Sequence, residues 1–262
     1  MTTVTETAWS IDEIKAAGST LRVRKGGTGD PLVVLPHDIG TLERLPFYDA
    51  LALRFTVYVP SHPGWDGSER PDWMRSVRDV AVTYQALLAE TNLANPTLVG
   101  LGFGGWIAAE MATMSPRAFK RLVLVGAMGV KPAEGEILDQ AIVSYIDYVR
   151  AGFKDQGVFD RLFGADPPTE TLEQWDLNRE MSFRIAWKPY MYSPTLPHLL
   201  GGVKTPALIV WGRGDKVVPL ECGEAYASAL AKSRLVVVPA SGHFVDMEQP
   251  ESLAKLIVEF AA

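Results

Sequence analysis

One cysteine, Cys222, is all the chain carries. An internal disulfide is therefore excluded, and the chain is expected to suit a reducing, cytoplasmic compartment. The sequence also lacks a basic block. Its formal net charge is −6 and its lysines and arginines are scattered, which excludes the electrostatic footprint of nucleic-acid binding and of attachment to an anionic membrane. No apolar run reaches the ~18 residues that a membrane span needs, and Met1 to Thr7 is polar, unlike a secretory leader. The four histidines (His37, His62, His198, His243) show no short ligand spacing, so no metal is expected. The most informative absence is at Gly100-Leu101-Gly102-Phe103-Gly104-Gly105. This glycine loop joins an apolar run to a helix former, yet it carries no hydroxyl, thiol or carboxylate.

What is present reads as a layered α/β protein. The chain has 262 residues, 47% apolar and 21% charged, enough for one large domain or a domain with an insertion. Leu21 to Arg24 alternates as a strand and meets a hairpin-like turn at Gly26 to Asp30. Continuous apolar runs follow at 31–35, 55–59, 97–100, 121–125, 207–211 and 235–238, as strands buried on both faces require. Helical patterns lie between most of them, at 42–54, 77–91, 105–115, 221–231 and 251–260. Strands alternating with helices imply a mostly parallel sheet covered on both sides. The stretch 131–203 breaks this rhythm, with helices expected at 137–150 and 170–187 and several prolines between. The organisation expected is thus a core of 1–130 and 204–262 with a helical insertion of 131–203 over the carboxyl edge of the sheet, where open α/β folds bind ligands.

The glycine loop admits three readings. Gly100-x-Gly102-x-x-Gly105 fits a dinucleotide fingerprint, but the loop is not in the first βα unit and the next strand ends Val125-Gly126-Ala127, without the ribose-binding acid. No phosphate-cradling lysine follows it, which excludes a nucleoside triphosphatase. It can be purely structural, letting helix and sheet pack closely. Or it is a strand-turn-helix elbow of the Gly-x-Ser-x-Gly type, in which a strained turn lifts a nucleophile above the sheet, to be followed in chain order by an acid and a histidine. Asp215 in Gly212-Arg213-Gly214-Asp215 and His243 in Ser241-Gly242-His243 each follow an apolar strand, in that order.

From Leu21 to Phe260 the chain resembles the α/β-hydrolase superfamily. The likeness includes His62-Pro63-Gly64-Trp65-Asp66-Gly67-Ser68 and the ending Gly242-His243 with Glu248-Gln249-Pro250. It implies an α/β-hydrolase fold in which 131–203 is the cap over the substrate pocket. Two departures fall on catalytic positions. Gly102 stands where the nucleophile is expected, which removes covalent catalysis of the usual kind. The oxyanion loop reads Pro36-His37-Asp38-Ile39-Gly40, placing two ionisable side chains at the pocket rim; these either face the pocket or turn outward. The His243–Asp215 pair is left as a general base acting on water or on an acidic proton, or as a structural hydrogen bond. Backbone N–H groups of Phe103 and of the Asp38-Ile39 turn are the expected oxyanion donors. Leu101, Trp65 and Trp106 are candidate pocket residues, as are Arg179 and Trp187 of the insertion, where an arginine either clamps a carboxylate or lies on a solvated face. The function expected is cofactor-independent hydrolase or lyase chemistry on a small, partly apolar ester or carbonyl compound, in a monomer or homodimer. Two alternatives stand: a catalytically silent binding protein, and an ordinary serine hydrolase inactivated by Ser-to-Gly replacement.

Overall fold

In the computed structural model, residues 8–262 are described; the polar Met1 to Thr7 lies outside them. The elements in chain order are β1 (Trp9–Ala16), β2 (Ser19–Gly26), β3 (Asp30–Leu35), α1 (Pro46–Ala52), β4 (Phe55–Pro60), α2 (Val77–Glu90), β5 (Thr97–Leu101), α3 (Phe103–Met114) and β6 (Arg121–Val125). Then come α4 (Tyr145–Ala151), α5 (Gln156–Phe163), α6 (Thr169–Ala186), α7 (Leu196–Leu200), β7 (Ala207–Gly212), α8 (Leu220–Ala229), β8 (Ser233–Val238), α9 (Val245–Glu248) and α10 (Pro250–Ala261). The strands form one eight-stranded sheet in the order β1-β2-β4-β3-β5-β6-β7-β8. β1, β2 and β4 pair antiparallel, and the rest is parallel.

The parallel strands are apolar because helices cover both their faces; every residue of β5 and β7 is buried. After β3 the chain moves to β4 on one side, and it returns through β5 on the other. The gap between the β3 and β5 carboxyl ends is therefore the topological switch point, where open α/β sheets bind ligands. The loops that leave β3, β5, β7 and β8 all open at that end. Four helices, α4 to α7, lie between β6 and β7. They are tied down by backbone bonds from Gly129 N–H to Met191 and from Ser193 N–H to Gly129. Among the described residues, no helix is long and apolar enough to cross a membrane.

Some local expectations are corrected. The hairpin is not at Gly26 to Asp30, because β4 lies between β2 and β3. It is at Ala17-Gly18, both at positive φ, joining β2 to β1. The helix expected from Leu42 begins at Pro46, since proline pre-sets the first helical position and Leu45 before it is extended. Residues 137–144 are not helical; only Tyr145–Ala151 is. Ser144 starts that helix by accepting the Asp147 N–H. The segment before it is held open by bonds from Leu138 N–H to Val217 and from Gln140 N–H to the Tyr190 hydroxyl.

Candidate active site

The elbow is built from backbone. Gly102 has φ 50° and ψ −112°, a region closed to most side chains. Its N–H donates to the Val125 carbonyl at 2.8 Å, and its own carbonyl accepts from Gly105 and Met128 at 3.0 Å each. The turn is thus pinned to β6 and to α3. The Phe103 N–H, at the first position of α3, has no carbonyl to bond within the helix.

Asp215 and His243 meet above this turn. The Asp215 Oδ1 accepts the Val217 and Val218 N–H groups at 2.9 and 2.8 Å, which fixes its side chain past β7. Its Oδ2 accepts from His243 Nδ1 at 2.8 Å. The His243 loop is held by buried Glu248, whose Oε2 accepts from Gly242 N–H at 2.6 Å and from Ser241 Oγ at 3.1 Å. The two loops touch: a Cβ on Gly212 would lie 1.8 Å from the Gly242 carbonyl oxygen, so only glycine fits. Burial opposes a charge on His243, but Asp215, with Asp38 and Asp246 nearby, outweighs it and raises its pKa above the ordinary value.

The space over Gly102 is filled from β3. A Cβ added at Gly102 would stand 2.5 Å from His37 Nδ1 and 2.9 Å from His243 Nε2. His37 therefore faces the site rather than solvent; it is 1% exposed. Its Nε2 bonds Asp246 Oδ1 at 2.9 Å, and Phe244 packs edge-on against its ring. The two imidazoles lie 5.2 Å apart, centroid to centroid. Two histidine–aspartate pairs thus converge on the point where a side chain at residue 102 would stand. His37 Nδ1 and His243 Nε2 are both buried with no hydrogen-bond partner among the described residues.

Asp38 also faces inward and is fully buried. Its Oδ2 accepts from the Tyr148 hydroxyl at 2.8 Å and from the Gln140 amide, while Oδ1 has no partner. Tyr148 and Tyr145 stack on one another from α4. Burial, with Asp38 beside them, pushes both phenols well above their ordinary pKa, so they remain protonated donors. The Gln140 Oε1, Tyr145 hydroxyl and Asp246 Oδ2 are further buried atoms without partners. Such a concentration of unmet polar atoms marks a place built for something polar.

The remaining candidates spread out. Trp65 is buried beneath the Asp38 loop, its indole N–H bonded to the Asp38 carbonyl at 3.0 Å. Ile39 is buried, and its carbonyl accepts from Asn178 at 3.1 Å. Phe103 packs its ring against His62, Trp65 and Trp106. Leu101 is core, and Trp106 turns toward Glu110 on its own helix. Arg179 pairs with Asp176 at 2.7 Å and lies over the Tyr145 ring, one residue removed from the site. Trp187 is 42% exposed and packs edge-on against Phe183 and Tyr190. Two open clefts have other linings: one of about 430 Å³ is lined by Arg22, Arg24, Thr41 and Asp66, and one of about 260 Å³ by Lys131, Ile137, Tyr190 and Tyr192. Sequence reasoning missed Asp246, Gln140, Tyr145 and Tyr148. Asp246 follows His243 by three residues, and the two tyrosines are three apart at the start of a helix; those spacings were the available signals.

A parallel sheet with an elbow after β5, an acid after β7 and a histidine after β8 defines the hydrolase class of α/β proteins. Residues 33–256 match the family described as the alpha/beta hydrolase family, and the chain belongs to it. A 2-hydroxy-6-oxononadienedioate/2-hydroxy-6-oxononatrienedioate hydrolase from Burkholderia vietnamiensis is 29% identical, over 93% of this chain and 92% of its own length. A 2-hydroxymuconate semialdehyde hydrolase from a Pseudomonas species is 27% identical, over 95% and 93%. A mutant meta-cleavage product hydrolase from Pseudomonas fluorescens, solved in complex with acetates, superposes with TM-score 0.80 at 22% identity, covering 95% of this chain and 96% of that one; this likeness supports the fold.

Proposed function

We propose that the protein hydrolyses a C–C or ester bond next to a carbonyl in a small, partly apolar compound, with water as the nucleophile and His243 as the general base. The observation that carries this reading is the convergence of two unpartnered imidazole nitrogens on the point over Gly102. In the neutral rings, Asp215 and Asp246 keep the protons on the nitrogens that face them. The lone pairs of His37 Nδ1 and His243 Nε2 then both face the site. A water between them donates one hydrogen to each and turns its own lone pairs toward the substrate. Attack forms the O–C bond, and the proton passes to His243, whose imidazolium faces Asp215. The carbonyl oxygen becomes an oxyanion held by the Phe103 N–H and by the Asp38-Ile39 turn. Collapse breaks the C–C or C–O bond, and the imidazolium returns the proton to the leaving group. No organic cofactor enters this scheme.

The names of the relatives suggest 2-hydroxy-6-oxo-dienoates as the first substrates to try. The test is a panel of such dienoates, aryl esters and lactones, read for turnover and for thermal shift. Turnover that is lost in His243→Ala supports the reading. Thermal shifts without turnover on any member would instead assign a silent binding protein.

A further inference from the structure

We propose that His37, Asp38 and His243 form a site for one divalent first-row transition-metal ion. The inference rests on the reading above for the position of the attacking water, and goes beyond it in naming what holds that water. A ring nitrogen of each histidine and a carboxylate oxygen of Asp38 lie within 4.8 Å of one another, and all three residues are buried. His37 Nδ1, His243 Nε2 and Asp38 Oδ1 are the atoms left without partners. Two imidazoles and one carboxylate form a donor set that suits zinc, iron or cobalt rather than magnesium or calcium.

The surroundings match a metal site as well as the donors do. Each histidine is backed by a carboxylate on its other nitrogen, His37 by Asp246 at 2.9 Å and His243 by Asp215 at 2.8 Å. Such partners fix the tautomer and raise the basicity of a ligating imidazole. Asp38 is likewise held, on its other oxygen, by Tyr148 and Gln140. Charge points the same way. The carboxylates of Asp38, Asp215 and Asp246 are buried together, and their partners are imidazoles, a phenol, a carboxamide and backbone N–H groups. A dication bound to neutral imidazoles offsets most of that buried negative charge. A tetrahedral ion at its usual bond length needs donors about 3.4 Å apart, so atoms as far apart as 4.8 Å draw in by about 1.4 Å. The two ring nitrogens border the space over Gly102, which a side chain there would fill. A water on such an ion would have its pKa lowered; with its Nε2 on the ion, His243 would hold the ion rather than take that water's proton.

The test is a Co²⁺ titration of the chelator-stripped full chain, without substrate, followed by visible absorption and metal analysis. The expected result is one Co²⁺ per chain with absorption bands in the visible. His37→Gln and Asp38→Asn should lose it, and Asp246→Asn should bind about 10–100-fold more weakly. Should those variants fail to fold, a saturable rise in Tm of the unaltered chain with Co²⁺ is the second readout. No uptake after prolonged incubation at millimolar Co²⁺ overturns the proposal, as does unchanged uptake by folded His37→Gln. A stripped chain that turns substrate over but binds no Co²⁺ removes the ion and keeps His243 as base. One that binds Co²⁺ and turns nothing over removes the hydrolytic reading and keeps the ion.

Discussion

Introducing a serine at residue 102 is the most searching perturbation, because His37 stands in its way. The backbone of Gly102 at φ 50° and ψ −112° costs a residue with a Cβ about 1–3 kcal/mol. The new Cβ would lie 2.5 Å from His37 Nδ1, closer than any ordinary contact. His37 is buried and held by Asp246, so moving it adds an overpacking cost of about 1–3 kcal/mol. Gly102→Ser alone should therefore lose about 2–6 kcal/mol and gain no serine-hydrolase activity. Adding His37→Gly clears the second cost. It leaves Asp246 without its partner, at about 1–3 kcal/mol, but opens room for the hydroxyl beside His243 Nε2. Four proteins (parent, each single and the double) closed into a denaturation cycle should show a favourable coupling of about 1–3 kcal/mol. A fluorophosphonate probe, read by intact mass, should label the double variant and not Gly102→Ser. A single variant that is as stable as the parent and labels as fast as the double would refute the claim that His37 occupies the nucleophile's place. It would return the chain to the class of ordinary hydrolases inactivated by one replacement.

Other consequences are more local. Asp215→Asn keeps the shape of the acid but lets the wrong His243 tautomer form; kcat on the best panel substrate should fall by about 10³–10⁴-fold with KM little changed. Tyr148→Phe removes one donor from the buried Asp38 carboxylate while Gln140 remains, and urea denaturation should show a loss of about 1–3 kcal/mol. His62 gives a pH dependence of stability. Its Nε2–H donates to the Pro36 carbonyl and its Nδ1 accepts from the Tyr84 hydroxyl, which satisfies the neutral ring, and burial lowers its pKa from 6.5 to about 4. The unfolded chain takes up this proton first, so the stability is present above about pH 6.5 and is lost as pH falls toward 4, about 3 kcal/mol in full. The difference in denaturation free energy between the parent and His62→Gln should shrink by that amount over this window; a constant difference would contradict the assignment.

The fold was readable because its signal is local. Strands such as β5 and β7 are apolar throughout, since both faces are covered, and each is followed by a helix pattern. The meeting of Gly102, Asp215 and His243 was readable because each sits just past such a strand. β1 was not: most of its residues are exposed on the sheet's edge, so it carries no apolar run. The stretch 137–150 has helical periodicity, yet tertiary bonds from Gln140 and Leu138 override it before Tyr145. The second histidine–aspartate pair was hidden for a different reason. His37 and Asp246 lie at opposite ends of the chain, and only the parallel sheet brings their loops together over the same turn. The exchange of space between His37 and Gly102 is a property of that meeting, and no spacing in the sequence encodes it.

The central claim is that bond cleavage proceeds by direct attack of water over Gly102, with no covalent enzyme intermediate. Its most direct test is intact-protein mass spectrometry of the enzyme quenched during turnover of the best panel substrate. The unmodified mass of the chain is expected at every time point while product accumulates. A transient adduct with the mass of the substrate's acyl part would contradict it.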